Sequence, residues 1–495
     1  MVSVYTLLTT DIFISNSAQN LQRIGRAALQ PTFSPVIIKN ILSGVQNTLL
    51  FAIVGLCLGV YLGLLLCYLS IRFHRWSFFG KIIAFIFRST HEIVFMYLLV
   101  LIFGLNPYIA IIAIGISFGG IMGKVFTDNM NLTDDHVIYA YKNRNYSYIT
   151  NFIFNLFPKS FNSNLNYMFY RFECAIRSSI VLSYVGLPGI GFHLNNSLGD
   201  ADYNSVFAYL YSLIILVLIF SILTSFTLKK LKYRPVMFVY LFIPVSFVCF
   251  ACFLIVYQQN FYDLFNINNY YGMLRSFEAI KQIFNPWNTN LYSATQLLRF
   301  AQATWQTLVL GILGTVFMTI LFFILIGHYL WGYVRKSLLH LKLNNIISIF
   351  NRSIPEAVFL ILLLFVMKPN VVTGALALAL HNFGILTKLV KDRIESNYHV
   401  LFATYRNRGY SSLCMLCFVF LPSLKRDLIS LVSYRFEMMI KSSAVIGILG
   451  SGGLGLLIRL DMSRFNYQAI YFSVLIYILL FVIIDKANSI MIYQK

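Results

Sequence analysis

The sequence predicts an all-α polytopic membrane protein built from two parallel copies of one helical unit. Three observations carry this. Of 495 residues, 59% are hydrophobic and only 11% charged, with a mean hydropathy of +0.74. Eleven apolar runs approach the roughly 20 residues that a helix needs to cross a hydrocarbon core. Blocks of sequence also recur at one offset of 264 residues. No soluble domain could clothe so apolar a chain in polar surface. Intrinsic disorder, a secreted disulfide scaffold and a cytosolic enzyme are therefore excluded.

The runs lie near 47–70, 82–104, 107–127, 172–192, 204–227, 235–257, 305–331, 343–367, 371–390, 436–457 and 466–485. Those at 172–192 and 436–457 are weaker, rich in Gly and Ser and charged at their start. Basic residues orient them. Arg72, Arg75 and Lys81 follow the first run, and Lys142, Arg144 and Lys159 the third. Lys229, Lys230, Lys232 and Arg234 follow the fifth, and Arg335, Lys336 and Lys342 the seventh. Lys391, Arg393, Arg406, Arg408, Lys425 and Arg426 follow the ninth. These loops alternate, which places them in the cytoplasm. The N-terminus and the 258–304 loop are then expected outside and the C-terminus inside. The net charge of +21 reflects this loop bias rather than a nucleic-acid partner. Met1 to Asn20 lacks the pattern of a secretory signal. The seven cysteines read as ordinary helix residues, although Cys249/Cys252 and Cys414/Cys417 mimic a metal or redox pair.

The repeat is explicit. RFECAIRSSIVLSYVGLPGIG at 171–191 aligns with RFEMMIKSSAVIGILGSGGLG at 435–455, with ten of 21 positions identical. YKNRNYS at 141–147 matches YRNRGYS at 405–411, and RSTHE at 88–92 matches RSIPE at 352–356. Pro158 falls on Pro422 and Lys124 on Lys388. The copies are displaced by six crossings, an even number, so both have the same orientation. Inverted repeats need an odd number. A pathway at the interface of the halves is the expectation. The boundaries read as an external segment 1–40, a first repeat 41–230, a linking helix and external loop 231–300, and a second repeat 301–495.

Each half carries a long basic loop with a helix signal. Thr133-Asp134-Asp135 suits the start of a helix running to about Asn145, and Glu395-Ser396-Asn397 the start of one ending near Gly409. Gly and Asn readily adopt the left-handed conformation that ends a helix. A return to the membrane follows at Pro158 and at Leu421-Pro422. Such paired helices suit docking to a partner; a plain structural loop is the alternative. Glu173 and Arg177, like Glu437 and Lys441, are spaced by four, the favourable order on a helix. Two roles are open to them, bracing the helix or gating. Arg88 and Arg352 sit one turn before Glu92 and Glu356, which are expected as their intrahelical partners. Ser117 and His381 fall mid-span at matched positions, suited to helix–helix hydrogen bonding or to lining a pathway. Gly186, Gly189 and Gly191, with Gly450, Gly452, Gly453 and Gly455, permit close packing or a break. A break inside a span survives only against protein or water. No metal or nucleophile constellation is evident. Gly119 to Lys124 imitates a phosphate-binding loop, but Phe118 and Val125 occupy positions that need Gly and Ser or Thr.

A helix, Gly, nine residues, a hydrophobic residue, one residue and Leu-Pro resembles the cytoplasmic loop of ABC importer permeases. YRFE at 170–173 and 434–437, RSIPEAVF at 352–359 and ALALALHNFG at 375–384 resemble the phosphonate-type permeases more specifically. The resemblance covers nearly the whole chain, once per half, as though two permease copies were fused. It implies type I importer architecture in a bacterial inner membrane. It also implies a pathway for a phosphorus oxyanion delivered by an external binding protein. Two copies of a cytoplasmic ATPase would carry the ATP and Mg, leaving this chain without cofactor. The implied coupling residues are Ala140, Tyr141, Arg144, Asn145 and Pro158 in the first copy. Thr404, Tyr405, Arg408, Gly409, Leu421 and Pro422 are those of the second. The pathway or gating candidates are Ser117, His381, Glu173, Arg177, Ser178, Glu437, Lys441, Ser442, Gly189, Gly191, Gly453 and Gly455, with Ser179 and Ser443 as further donors.

The first copy departs from the pattern at Asn145, Ser117 and His91, where the second has Gly409, His381 and Pro355. In neither copy is the usual acidic-Ala-Ala start of the loop kept. The first half is thus the more divergent of the two. An ion-coupled secondary transporter is the alternative reading; it predicts inverted repeats and no docking loop. A membrane-embedded enzyme would need a catalytic cluster.

Overall fold

A hydrocarbon core leaves no unpaired backbone N–H or C=O, so so apolar a chain folds as helices. The computed structural model describes residues 17–72, 76–131, 147–231, 235–263, 266–285 and 289–493. They form two compact units, Arg26–Lys281 and Gln282–Lys495, the latter joined by Met1–Gly25. After α1 (Ser17–Leu29), the first unit runs α2 (Pro35–Arg72), α3 (Trp76–Ser89), α4 (Glu92–Phe103), α5 (Pro107–Asn131), α6 (Phe157–Tyr184), α7 (Ile190–Gly199), α8 (Tyr203–Leu231) and α9 (Pro235–Val256). A further helix, α10 (Ile267–Ile283), ends it. The second unit runs α11 (Ala294–Val334), α12 (Leu338–Ser353), α13 (Glu356–Leu364), α14 (Val371–Asn397), α15 (His399–Asn407), α16 (Leu421–Ile446), α17 (Gly453–Ser463) and α18 (Tyr467–Tyr493).

Among the described residues six helices are long and apolar enough to cross a membrane: Pro35–Ile71, Pro107–Met130, Tyr203–Thr224, Ala294–Val334, Val371–Ile394 and Tyr467–Asn488. Three further spans are bent pairs: Ile82–Ser89 with Glu92–Phe103 at 96°, Leu338–Ser353 with Glu356–Leu364 at 89°, and the chain from Ser412 to Ser463 at 56°. By length and composition the described residues thus hold up to nine of the eleven expected spans. The expected span at 235–257 contributes the shorter apolar helix Phe242–Val256. The one at 172–192 does not qualify. Its helix starts at Phe157, carries Arg171, Glu173 and Arg177 in mid-course, and stops at Tyr184. The sharp bends put Arg88 and Glu92, and likewise Arg352 and Glu356, on separate helices, so neither pair lies within one helix as expected. A right-angle break separates each Arg from its Glu.

In the first unit α2 and α5 pack through small residues. Gly59 and Gly63 face Gly115, Gly119 and Gly123, and Gly55 faces Ile114. A Cβ on Gly63 would lie 3.2 Å from the Gly123 nitrogen. Without a hydrophobic force between helices in lipid, backbone contact of this kind supplies the van der Waals attraction. A second contact is duplicated at the repeat offset. A Cβ on Gly120 would sit 2.7 Å from the Arg88 nitrogen and 2.8 Å from the Ala84 oxygen. On Gly384 it would sit 2.9 Å from the Ser348 oxygen and 3.1 Å from the Arg352 nitrogen. Each glycine therefore lets the helix before the break lie against the following span.

This contact is testable by adding one methyl group. Gly120→Ala or Gly384→Ala must push two backbones apart and should each cost about 1–3 kcal/mol. Gly327→Ala, where nothing lies within 4 Å, should be neutral or gain up to about 1 kcal/mol from helix propensity. Thermal denaturation in detergent reads the difference.

Candidate functional site

The loop of the second unit is built around α15. Phe402 is buried and seats the helix, and Arg406 one turn later lies 4.6 Å from the Tyr333 ring. Val400, Thr404 and Arg408 therefore point outward. The expected start at Glu395-Ser396-Asn397 is incorrect. Those residues finish α14, and α15 begins at His399 after Tyr398, which gives it no side-chain cap. α14 continues through them because its apolar face still buries Ile394. The Tyr398 hydroxyl donates to Asp427 Oδ2 at 3.4 Å, and burial, then the Asp427 charge, raises its pKa. The helix ends at Gly409, φ +80°, a conformation glycine adopts without penalty. Tyr405 packs edge-on against Tyr410 at 5.2 Å. Of the first-copy coupling candidates, Ala140, Tyr141, Arg144 and Asn145 lie outside the described residues.

The return to the membrane is alike in both units. Ser147 accepts from the Thr150 N–H and Ser411 from the Cys414 N–H, at matched positions. A π-helical turn follows, Phe152–Leu156 and Met415–Phe420, directly before α6 and α16. Pro158 and Pro422 explain it. Proline lacks an N–H and crowds the carbonyl four residues back, and a widened turn absorbs both defects. Pro158, Leu421 and Pro422 are exposed.

Deeper in each unit the breaks at Thr90-His91 and Ile354-Pro355 free backbone carbonyls. Ser117 and His381 close them. The Ser117 hydroxyl donates to the Thr90 oxygen at 3.2 Å, and His381 Nδ1 meets the Ile354 oxygen at 2.7 Å. A carbonyl can only accept, so Nδ1 carries the proton, and Nε2 faces Glu356 Oε2 at 3.6 Å. In the first unit Glu92 accepts from the Ser178 hydroxyl. The four-residue spacing of Glu173 and Arg177 brings the guanidinium to the Glu173 backbone oxygen at 3.3 Å, while Glu173 Oε1 accepts from Thr224. Glu437 and Lys441 are both buried and Ser442 half-buried.

The glycine segments are breaks with caps. After Gly186 (φ +127°), Ile190 donates its N–H to Thr48 and Gly191 to Ser183, at 3.2 and 3.1 Å. After Gly450, Gly452 and Gly453, all at positive φ, Gly453 donates to Gln306 and Leu454 to Thr307, both at 2.9 Å. A Cβ on Gly191 or Gly455 would strike the backbone of α6 or α16. The other donors considered for a pathway are also engaged: Ser179 with the Thr48 oxygen and Ser443 with the Ile440 oxygen.

Sequence reasoning missed Thr48, Gln306 and Thr307, because a cap supplied by a distant helix leaves no local signal. It also missed two charged contacts. Arg299 pairs with the buried Asp461 at 2.9 Å. Buried Lys391 reaches Asn344 and Asn345 at 2.7 and 2.6 Å. The first unit has Thr127 at the matching position. There a cavity of about 250 Å³ opens, lined by Ser70, Arg88, Lys124, Thr127 and Asp128 among others.

The sequence profile of a family described as the inner membrane component of binding-protein-dependent transport systems matches residues 55–236 and again 329–491. The phosphate-import permease protein PhnE of Mycolicibacterium smegmatis is 23% identical over 85% of this chain and 79% of its own length. A cryptic phosphonate transport system permease protein, PhnE2, of Escherichia coli strain K12 is 32% identical over 19% of this chain and 76% of its own. Among solved structures, an inward-facing MetNI methionine ABC transporter matches 41% of this chain and 98% of that chain. The identity is 17% and the TM-score 0.36.

The matched bonds at the breaks give a rescue test. His381→Ala leaves the buried Ile354 carbonyl without its partner and should cost about 1–3 kcal/mol. His381→Ser, which copies the first unit, should recover part of that loss. Thermal stability in detergent would show equal losses for both if the bond contributed nothing.

Proposed function

The chain belongs to the family of binding-protein-dependent transport inner membrane components, and from that premise we propose that it supplies the whole membrane-spanning part of an ATP-driven importer. The cargo is a phosphorus oxyanion of the phosphonate, phosphite or phosphate class, received from an external binding protein at a bacterial inner membrane. Two copies of a separate cytoplasmic ATPase drive it. The observation that carries this reading is the double occurrence of the family domain in one chain, with a phosphate-import permease as a relative over 85% of it. One chain then offers two coupling loops. In the second, the exposed Val400–Thr404–Arg408 face of α15 is the docking surface, held rigid by Phe402 and the Arg406–Tyr333 stack.

The fold supports a physical role for each part. Gly409 ends α15 sharply, so that a push on that helix reaches α16 through the π-helical turn and Pro422. Transport as a secondary carrier is disfavoured by the parallel repeat, since such carriers commonly use inverted repeats.

Three outcomes test the reading. Reconstituted with its ATPase and binding protein, the chain should show ATP hydrolysis stimulated by a phosphonate, phosphite or phosphate. Amino acids, peptides and metal cations should not stimulate; stimulation by a cation alone would remove the substrate class. Gly409→Val forces a branched residue into a left-handed conformation at about 1–2 kcal/mol. Coupled hydrolysis should fall about tenfold, with membrane insertion unchanged. The matching Asn145→Val should be milder. For orientation, reporter fusions after Lys232 and Lys342 should report cytoplasm and one near Asn285 the exterior; a cytoplasmic signal at Asn285 would overturn the topology.

A further inference from the structure

The segment linking the two repeats holds α10, a helix for which the transport reading has no use. Its surroundings place it at a membrane boundary. Gly272 lies so close to the end of α4 that a Cβ there would sit 2.6 Å from the Ile102 oxygen and 3.1 Å from the Leu101 oxygen. Just beyond, the Gly104–Asn106 turn links α4 to α5. Asn106 Nδ2 donates to the Asn260 oxygen at 2.8 Å, and the Tyr108 hydroxyl to the Tyr257 oxygen at 3.4 Å. The end of α9 and the start of the linking segment are therefore anchored at the turn where two membrane elements reach one face of the bilayer.

The faces of α10 divide three ways. Successive helical residues are about 100° apart. Ser276 and Ala279 are buried and share one side with Gly272. To one flank lie Tyr270, Met273, Phe277 and Ile280, all exposed; Phe277 is 68% exposed and Met273 61%. To the opposite flank lie Arg275 and Glu278, with the exposed Tyr271 between them and Leu274 beyond. A helix wholly in water has no reason to hold an apolar flank beside its buried face. A helix lying in a bilayer interface needs just these three sides: protein, acyl chains and water. The apolar flank also agrees with its neighbour. α9, which ends at the same boundary, exposes Phe247, Ile255 and Val256 as a lipid-facing span would.

We propose that α10 lies in the plane of the bilayer interface, its Tyr270–Met273–Phe277–Ile280 flank sunk at the boundary of headgroups and acyl chains. Tyr and Phe suit that depth, because their rings prefer the interfacial zone. Lys281, at the far side from the buried face, can extend its aliphatic stem along the boundary and keep its ammonium in water. The helix thus moors the linker between the two repeats to the lipid.

The experiment uses the full chain with its seven cysteines replaced. Single nitroxide labels go at Met273, Phe277, Arg275 and Glu278, with Ile320 on α11 as a lipid reference. The protein is reconstituted in vesicles of phosphatidylethanolamine and phosphatidylglycerol, without ATPase or binding protein. The result is therefore independent of the substrate assignment. Labels at 273 and 277 should collide preferentially with oxygen, like the reference, and labels at 275 and 278 with a water-soluble nickel chelate. Equal nickel accessibility at all four positions overturns the proposal. So does nickel accessibility at 273 and 277 that is lost only when the external binding protein is added, which would make this flank a protein dock.

Discussion

A carbonyl or N–H released inside a membrane costs several kcal/mol unless something accepts or donates to it. This chain releases such groups at two matched breaks in each unit. One lies between an amphipathic approach and a short apolar helix, at Thr90-His91 and Ile354-Pro355. The other lies in the glycine segments that precede α7 and α17. Each is closed from outside its own helix: by Ser117 or His381 at the first, and by Thr48 or Thr307 at the second. These side chains tie the long helices α2, α5, α11 and α14 to the broken ones. A rigid assembly can then be made from helices that could not persist alone in lipid.

The duplication is most faithful where backbone geometry is at stake. The π-helical turns, the serine caps before them and the close approach of Gly120 and Gly384 recur at one offset. It is least faithful where a side chain fills space. Lys391 occupies in one unit what Thr127 leaves open in the other, and a histidine replaces a serine at the first break. A backbone bond can be closed by several polar side chains, so Ser and His are interchangeable in that duty. A buried ammonium needs its own oxygen partners, and only the second unit supplies Asn344 and Asn345.

Much of the site was legible in advance. Gly409 ends its helix in a left-handed turn, and one of the two breaks in each unit falls where Gly is concentrated, at 186–191 and 450–455. The spacing of Arg88 and Glu92 suggested one continuous helix, but the chain breaks between them at Thr90-His91. Glu395 to Asn397 carried cap-like residues inside a helix whose apolar face simply continued. The run at 172–192 misled because its helix begins well before it, at Phe157, and carries Arg171, Glu173 and Arg177 before stopping at Tyr184.

Composition and the 264-residue offset were enough to establish a helical membrane protein in which one unit occurs twice. Those properties are periodic or additive along the chain, and need no partner to be read. Which polar side chain meets which freed backbone group was settled only in three dimensions. Thr48 and Ile190 lie 142 residues apart, and Thr307 and Leu454 147. Such bonds exist only once the helices have packed, since the cost they remove arises only when water has been excluded.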